Sequence, residues 1–313
     1  MINQFKESYY GFIIGDAMGF PVEFYDRKTL IEKPITTMTK FDNYPLPKGS
    51  WSFNGSMMLA TMDSIMAKNK VDYNDIMKNF SQWLTYAKYT PTGEIFGIET
   101  TNMKAISRFQ KGVSAIESGL EGENDNTNGS LSRMLPIAFY CFKNKLSDER
   151  IFTIVWQISS LTHKHEISIL GCYIYVRYIM FLLEGYNKDV SYQLLKELNY
   201  SFFDKKAVIK YRRILKENIF DYQLEEISSN DYVVCTLEAV LWCIYNTNNF
   251  KEAIVGSINL GGSTNTIGAL TGSIAGIIYG FNSIPKAWLN SLQKQEYLKL
   301  MSNSFIKAVN KLG

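Results

Sequence analysis

At 313 residues, the chain is long enough for one large domain or two small ones. With 46% hydrophobic and 14% aromatic residues it can fill a core, and its composition fits no disordered, collagenous or disulfide-built class. Its 33 basic and 30 acidic residues are interspersed and leave a formal charge of +3, which argues against an extended nucleic-acid or membrane-binding face.

The opening segment, Met1-Ile-Asn-Gln-Phe-Lys-Glu7, has no apolar run leading to a small-residue cleavage site. No signal peptide is expected, and the reading is cytoplasmic. Residues 34–56 gather proline and glycine in a loop region, within which Thr36-Thr-Met-Thr39 allows brief strand pairing but makes no sheet. The end of that region, Lys48-Gly-Ser-Trp-Ser-Phe-Asn-Gly-Ser56, runs into an apolar helix expected over residues 57–66. Ile76, Phe80, Trp83, Leu84 and Ala87 then fall on one stripe of a helix.

Residues 91–97 and 121–130 are further loops, the second polar enough to be exposed. Asn128-Gly-Ser-Leu-Ser-Arg133 opens a helix that continues to Pro136. The only two histidines, His163 and His165, stand at i and i+2 and cannot share a helix face, so a metal pair there would need extended backbone. Residues 167–183 are apolar but carry Arg177 and fall short of the roughly 20 residues of a membrane span; a buried helix is expected.

Leu194, Leu195 and Leu198 mark another helix, and residues 233–245 are apolar on most faces, which places them in the core. Cys141, Cys172, Cys235 and Cys243 form no Cys-x-x-Cys pair and read as buried reduced thiols. Near the end, Asn259-Leu-Gly-Gly-Ser-Thr-Asn-Thr266 places two glycines and short polar residues at a helix start, where free amides suit an anion. Gly268, Gly272, Gly276 and Gly280 recur every four residues beyond it. Each glycine costs about 1 kcal/mol against alanine in a helix, so close approach of another backbone is the expected return. Helical periodicity throughout, with short connections, predicts an all-α, compact single-domain, multi-helix fold over residues 1–313.

Five segments in order resemble the ADP-ribosylglycohydrolase (ADP-ribosyl-acceptor hydrolase) family, which includes dinitrogenase reductase-activating glycohydrolase. They are Gly11-Phe-Ile-Ile-Gly15-Asp16-Ala-Met-Gly19 with Pro21 and Glu23; Gly49-Ser-Trp-Ser-Phe-Asn-Gly-Ser-Met57; Asn128-Gly-Ser-Leu-Ser-Arg133; Thr162-His-Lys-His165; and, after Leu237-Glu-Ala-Val-Leu-Trp242, Asn259-Leu-Gly-Gly-Ser-Thr-Asn-Thr-Ile-Gly268. The resemblance implies a helical fold with two Mg²⁺ ions in a cleft, held by Thr/Ser-Asp-Asp in the first loop and Asp-x-Asp-Thr in the last. Carried over residue by residue, those positions are Ser52, Phe53, Asn54, Ser263, Asn265 and Thr266. All four expected aspartates are replaced, and Gly55 stands where the family prefers threonine. Mg²⁺ is normally anchored by carboxylates, and two dications repel strongly unless negative charge offsets them. No cofactor is therefore expected, the two Mg²⁺ included.

The resemblance leaves Asn128, Gly129, Ser130, Arg133, His163, Gly261 and Gly262 as ligand-binding candidates for a diphosphate and ribose. The first functional reading is a catalytically impaired homologue that binds ADP-ribose or an ADP-ribosylated protein. The second is an interaction or immunity factor that neutralises an ADP-ribosyltransferase toxin by contact, a setting in which members of this fold act. The third is a hydrolase of altered, metal-independent mechanism, in which Asp16 or Glu23, with Glu99 also nearby, serves as general base. No catalytic residue is expected under the first two. A cap or hydrogen-bonding role is the stronger expectation for Asp16 and Glu23.

Overall fold

The computed structural model describes residues 2–42 and 44–311 and is built from helices joined by short turns. Among the described residues there is no strand, only isolated bridges between Leu120 and His163 and between Thr127 and Tyr232; Thr36–Thr39 stays unpaired. One continuous hydrophobic core runs through the protein.

The centre of the fold is a pair of antiparallel helices from opposite ends of the chain, Ile2–Gly19 and Thr264–Tyr279. Their contact is backbone on backbone. A Cβ added at Gly11, Gly15 or Gly19 would overlap the carbonyl of Gly272, Gly268 or Thr264 in turn, and one at Gly276 would overlap that of Glu7. The regular fourfold spacing on both helices lets the seam close along its length. Gly280 falls outside it: with φ of 79° it is the C-cap that ends the second helix, a left-handed turn that glycine adopts without strain.

Residues 166–183 form the helix Glu166–Leu183, apolar and long enough by composition to cross a membrane, with 89% of its length buried inside the protein. Arg177 on it pairs with Asp148 and lies over the Phe181 ring, 5.2 Å from its centroid. Val233–Tyr245 is likewise interior. The stripe from Ile76 to Trp83 faces the core of helix Tyr73–Tyr86, while Ala87 is its left-handed C-cap. Leu194 and Leu195 lie in Lys188–Glu197, with Leu198 just beyond its end.

Two helix starts differ from the sequence expectation. The helix anticipated at residue 57 begins at Phe53, because the Ser52 side chain accepts the Asn54 N–H and caps it. Asn128–Arg133 forms a 3₁₀ turn of its own before the α-helix Met134–Lys143, whose first turn accommodates Pro136 because no hydrogen bond is asked of its nitrogen. These starts meet the beginnings of Thr100–Gln110 and Thr264–Tyr279 around one depression.

Candidate active-site cleft

The depression is a cleft of about 610 Å³. Glu23, Phe53, Glu99, Asn128, Ser263 and Thr266 line it, together with Phe24, Tyr44, Thr127 and Asp231, none of which stood out in the sequence.

Beneath the floor lies Asp16, in the last turn of the N-terminal helix and fully buried. Its Oδ2 accepts the Ser52 N–H at 3.0 Å and the Gly55 N–H at 2.9 Å, and its Oδ1 accepts the Ser52 hydroxyl at 2.5 Å. Burial pushes its carboxyl up to about 6, against the pull of these hydrogen bonds. The carboxylate thus fastens residues 52–55 to the central helix pair.

Having donated to Asp16, the Ser52 hydroxyl accepts from Asn54 N–H at 3.1 Å, Asn54 Nδ2 at 3.2 Å and Asn265 Nδ2 at 3.4 Å. Asn54 Nδ2 also donates to Thr266 Oγ1 at 3.1 Å, and Asn265 Oδ1 accepts the Thr266 N–H at 2.8 Å. Four of the six positions expected from the resemblance to face metal therefore face one another. Of the other two, Ser263 Oγ accepts from Asn128 Nδ2 at 2.9 Å, and Phe53 sets its ring into the wall, 4% exposed. Every oxygen in this set is neutral, and among the described residues no group of three or more His, Cys, Asp or Glu is placed to hold a metal ion.

Glu23 sits on the wall, half-buried, beside this network. Burial pushes its carboxyl up to about 8; a hydrogen bond from Asn265 works against that, and the negative charges of Asp16 and Asp231 add to it.

The opposite wall carries Glu99, the N-cap of Thr100–Gln110, which accepts the N–H groups of Thr101 at 3.2 Å and Asn102 at 2.7 Å. Behind it, one proton assignment satisfies a whole chain of groups. Arg133 donates to the Thr162 hydroxyl, which donates to His163 Nδ1 at 2.7 Å; His163 Nε2 donates to Thr127 Oγ1 at 2.8 Å, whose hydroxyl donates to Glu99 Oε1 at 2.7 Å. Burial raises the Glu99 carboxyl; the hydrogen bonds from Thr127 and the Asn102 N–H pull it down, and a second proton on His163 would pull it further. Arg133 is fully buried over the Phe80 ring, and burial pushes its guanidinium down to about 10.

The remaining candidates are placed as follows. Asn128 reaches the cleft, but its amide nitrogen is committed to Thr236 and Ser263. Gly129 packs where a Cβ would lie 2.9 Å from Glu99 Oε2, Asn102 Nδ2 and His163 Cε1. Ser130 is buried against Cys172. Arg133 and His163 are enclosed behind Thr127 and Glu99, with no exposed surface. Gly261 and Gly262, with φ of 77° and 68°, brace residues 23–27: Gly262 accepts the Phe24 N–H at 2.8 Å and donates to Tyr25 O at 2.9 Å. The amides from Gly261 to Thr264 all donate within the protein, so these four are not free to bind the anion that the loop's composition suggested. Gly261 and Thr264 donate locally, to Ile258 O and Gly262 O, while Gly262 donates to Tyr25 O and Ser263 to Ser229 O, long-range pairings of which local sequence carries no sign. His165 caps Glu166–Leu183 and lies away from the cleft floor.

The family model for ADP-ribosylglycohydrolase matches residues 1–312. An ADP-ribosylarginine hydrolase Tri1 of Serratia proteamaculans is 28% identical over 94% of this chain and 76% of its own length. The ADP-ribosyl-[dinitrogen reductase] glycohydrolase of Rhodospirillum rubrum is 27% identical over 91% of this chain and 88% of its own. A solved structure described as an ADP-ribosylglycohydrolase-related protein complex superposes with a TM-score of 0.82 at 21% identity, covering 98% of each chain.

Proposed function

The chain belongs to the ADP-ribosylglycohydrolase family, and on that premise we propose that it recognises an ADP-ribosylated protein in the cleft without hydrolysing it through a metal pair. One observation carries the reading: Asn54 and Asn265, where the family's chemistry calls for carboxylates, spend their polar atoms on each other's neighbours Ser52 and Thr266, with the Phe53 ring beside them. Mg²⁺ sheds water reluctantly and needs anionic oxygens to hold it. Neutral oxygens already paired do not fit two such ions, so neither metal-activated water nor metal-oriented ribose is available.

Recognition rests on what the cleft retains. Its volume lies within the range of small-molecule sites, and Thr100, exposed on its wall, offers a hydroxyl to a ligand. The relatives named above are hydrolases of ADP-ribosyl groups on proteins, which supports a ligand of that class here.

Titration of the full chain with ADP-ribose and with an ADP-ribosylated arginine peptide, in Mg²⁺ and in EDTA, tests both halves. Micromolar binding that is indifferent to the metal, with no release of ADP-ribose, is the expected outcome. Magnesium-dependent turnover would overturn the non-catalytic half, and undetectable binding of both probes the other.

A second reading keeps hydrolysis without metal. Glu23 lines the cleft and holds its proton at neutral pH, as a general acid must. Turnover in EDTA that Glu23→Gln abolishes would establish it.

A further inference from the structure

A second hollow, of about 310 Å³, shares no lining residue with the cleft. Its size is at the lower end of the range for small-molecule sites. It lies between the first half of helix Ile2–Gly19 and helix Gln295–Lys311, with part of its wall from residues 281–292. The apolar side is made by Leu289, Leu292 and the rings of Tyr10 and Phe281, which meet edge to face with centroids 5.7 Å apart.

The polar groups around this wall are chiefly donors. Lys6 extends from one helix, its ammonium 4.5 Å from the centre of the Phe281 ring, and Lys299 extends from the other. The Tyr10 hydroxyl stays protonated, because burial and then the Glu296 carboxylate push its pKa up. Glu296 is the one carboxylate among the lining residues; its side chain is 90% exposed and 3.9 Å from Lys299, so water and that ammonium screen it.

Ser302 adds a donor that the fold leaves unspent. It lines the hollow, is 2% exposed, and its hydroxyl has no hydrogen-bond partner among the described residues, although buried polar groups are ordinarily paired. A helical serine commonly donates to the carbonyl four residues back. Here that carbonyl, Leu298 O, already accepts the helix's own Ser302 N–H and the Tyr9 hydroxyl at 3.1 Å, which fills both its lone pairs.

Two ammonium groups and two hydroxyls beside rings and leucines call for an anionic, acceptor-rich head on an apolar body. A cation would meet the lysines, and a small inorganic anion would leave the apolar wall bare. We propose that the hollow is a binding site for a small organic carboxylate with an aromatic or short hydrocarbon body, its head held by Lys6, Lys299 and the Ser302 hydroxyl and its body against Phe281, Leu289 and Leu292. Because such a ligand touches both helices and residues 281–292, it fastens Gln295–Lys311 to the centre of the fold and raises the melting temperature.

The test is calorimetric titration of the full chain with benzoate, benzamide and inorganic phosphate, with melting temperatures read alongside. Benzoate is expected to saturate with a Kd of about 1 mM or tighter. It should bind at least about tenfold more tightly than benzamide, which has its shape without its charge, and phosphate should not displace it. Lys6→Gln, at an exposed position, and Ser302→Ala should each weaken benzoate about tenfold. Ser302→Ala should also leave the melting temperature of the free protein unchanged or higher, since no hydrogen bond is lost; a lower one would show the hydroxyl already paired and count against it as a ligand group. Absence of saturable benzoate binding, equal affinity for benzamide, full benzoate affinity in both variants, or displacement of benzoate by ADP-ribose overturns the proposal.

Discussion

The glycine seam between helices Ile2–Gly19 and Thr264–Tyr279 yields a prediction with opposed terms of known size. Replacing Gly15 by alanine improves helix propensity by about 1 kcal/mol. The new Cβ, however, would lie 2.8 Å from the Ala269 nitrogen and closer still to the Gly268 carbonyl, when real Cβ atoms essentially never come within 3.0 Å. The obstacle is backbone on both sides, so no rotamer change relieves it; the helices must part. Overpacking costs about 1–3 kcal/mol even where side chains can yield, and a gap of 0.5–1 Å forfeits a quarter to a half of the dispersion at each pair it opens. Because the seam runs the length of both helices, the cost falls at or above the top of that range. The net effect of Gly15→Ala is therefore a loss of about 2–4 kcal/mol.

Gly256 supplies the control. It lies inside helix Phe250–Asn259, and its added Cβ would meet only Thr247 Cγ2 at 3.8 Å. Gly256→Ala should stabilise by about 0.5–1 kcal/mol through propensity alone. Urea and thermal unfolding of both variants against the parent decide the matter: Gly15→Ala should melt lower by several degrees and Gly256→Ala slightly higher. If both shift upward, or by the same amount, the seam is not held by backbone contact.

Three further outcomes are expected. Asp16→Ala strips the acceptor from the Ser52 N–H, the Ser52 hydroxyl and the Gly55 N–H; at about 1–3 kcal/mol for each orphaned group, less whatever water restores, the loss should be about 3–5 kcal/mol, and urea unfolding measures it. The Glu23 carboxyl is raised from 4.5 to about 8, so the folded state keeps a proton that the unfolded chain releases. Its contribution to stability is intact below pH 4.5 and is lost as pH rises to about 8. Urea midpoints over that window should fall less steeply in Glu23→Gln than in the parent, and parallel profiles would discount the shift. Magnesium should leave the parent's melting temperature unchanged, whereas Phe53→Asp, Asn54→Asp, Ser263→Asp and Asn265→Asp together should create Mg²⁺-dependent stabilisation, readable in a melting series; magnesium stabilisation of the parent would refute the reading of a neutral, self-paired floor.

The sequence alone determined the helical class, the recurrence of glycine over residues 268–280 and the identity of the loops that meet at the cleft. These are properties of periodicity and residue type, which act locally: fourfold glycine spacing has one geometric meaning, and a missing carboxylate cannot be restored by folding. Which backbone fills the glycine face was not written locally, because Gly11, Gly15 and Gly19 stand some 250 residues away and share no local signal with their partners. Tertiary structure also decided how each polar group is spent. Residues 261–264 look like an anion-binding loop until residues 23–25 and Ser229 pair with them, and Arg133 and His163 look like ligands until Thr127 and Glu99 close over them. Phe24 is the converse case, an ordinary aromatic in sequence whose left-handed backbone the distant Gly262 holds, leaving the side chain exposed at the cleft. A residue's type limits which hydrogen bonds and contacts it can make. Only the long-range pairing of backbones settles which it does make, and therefore what is left to face a ligand.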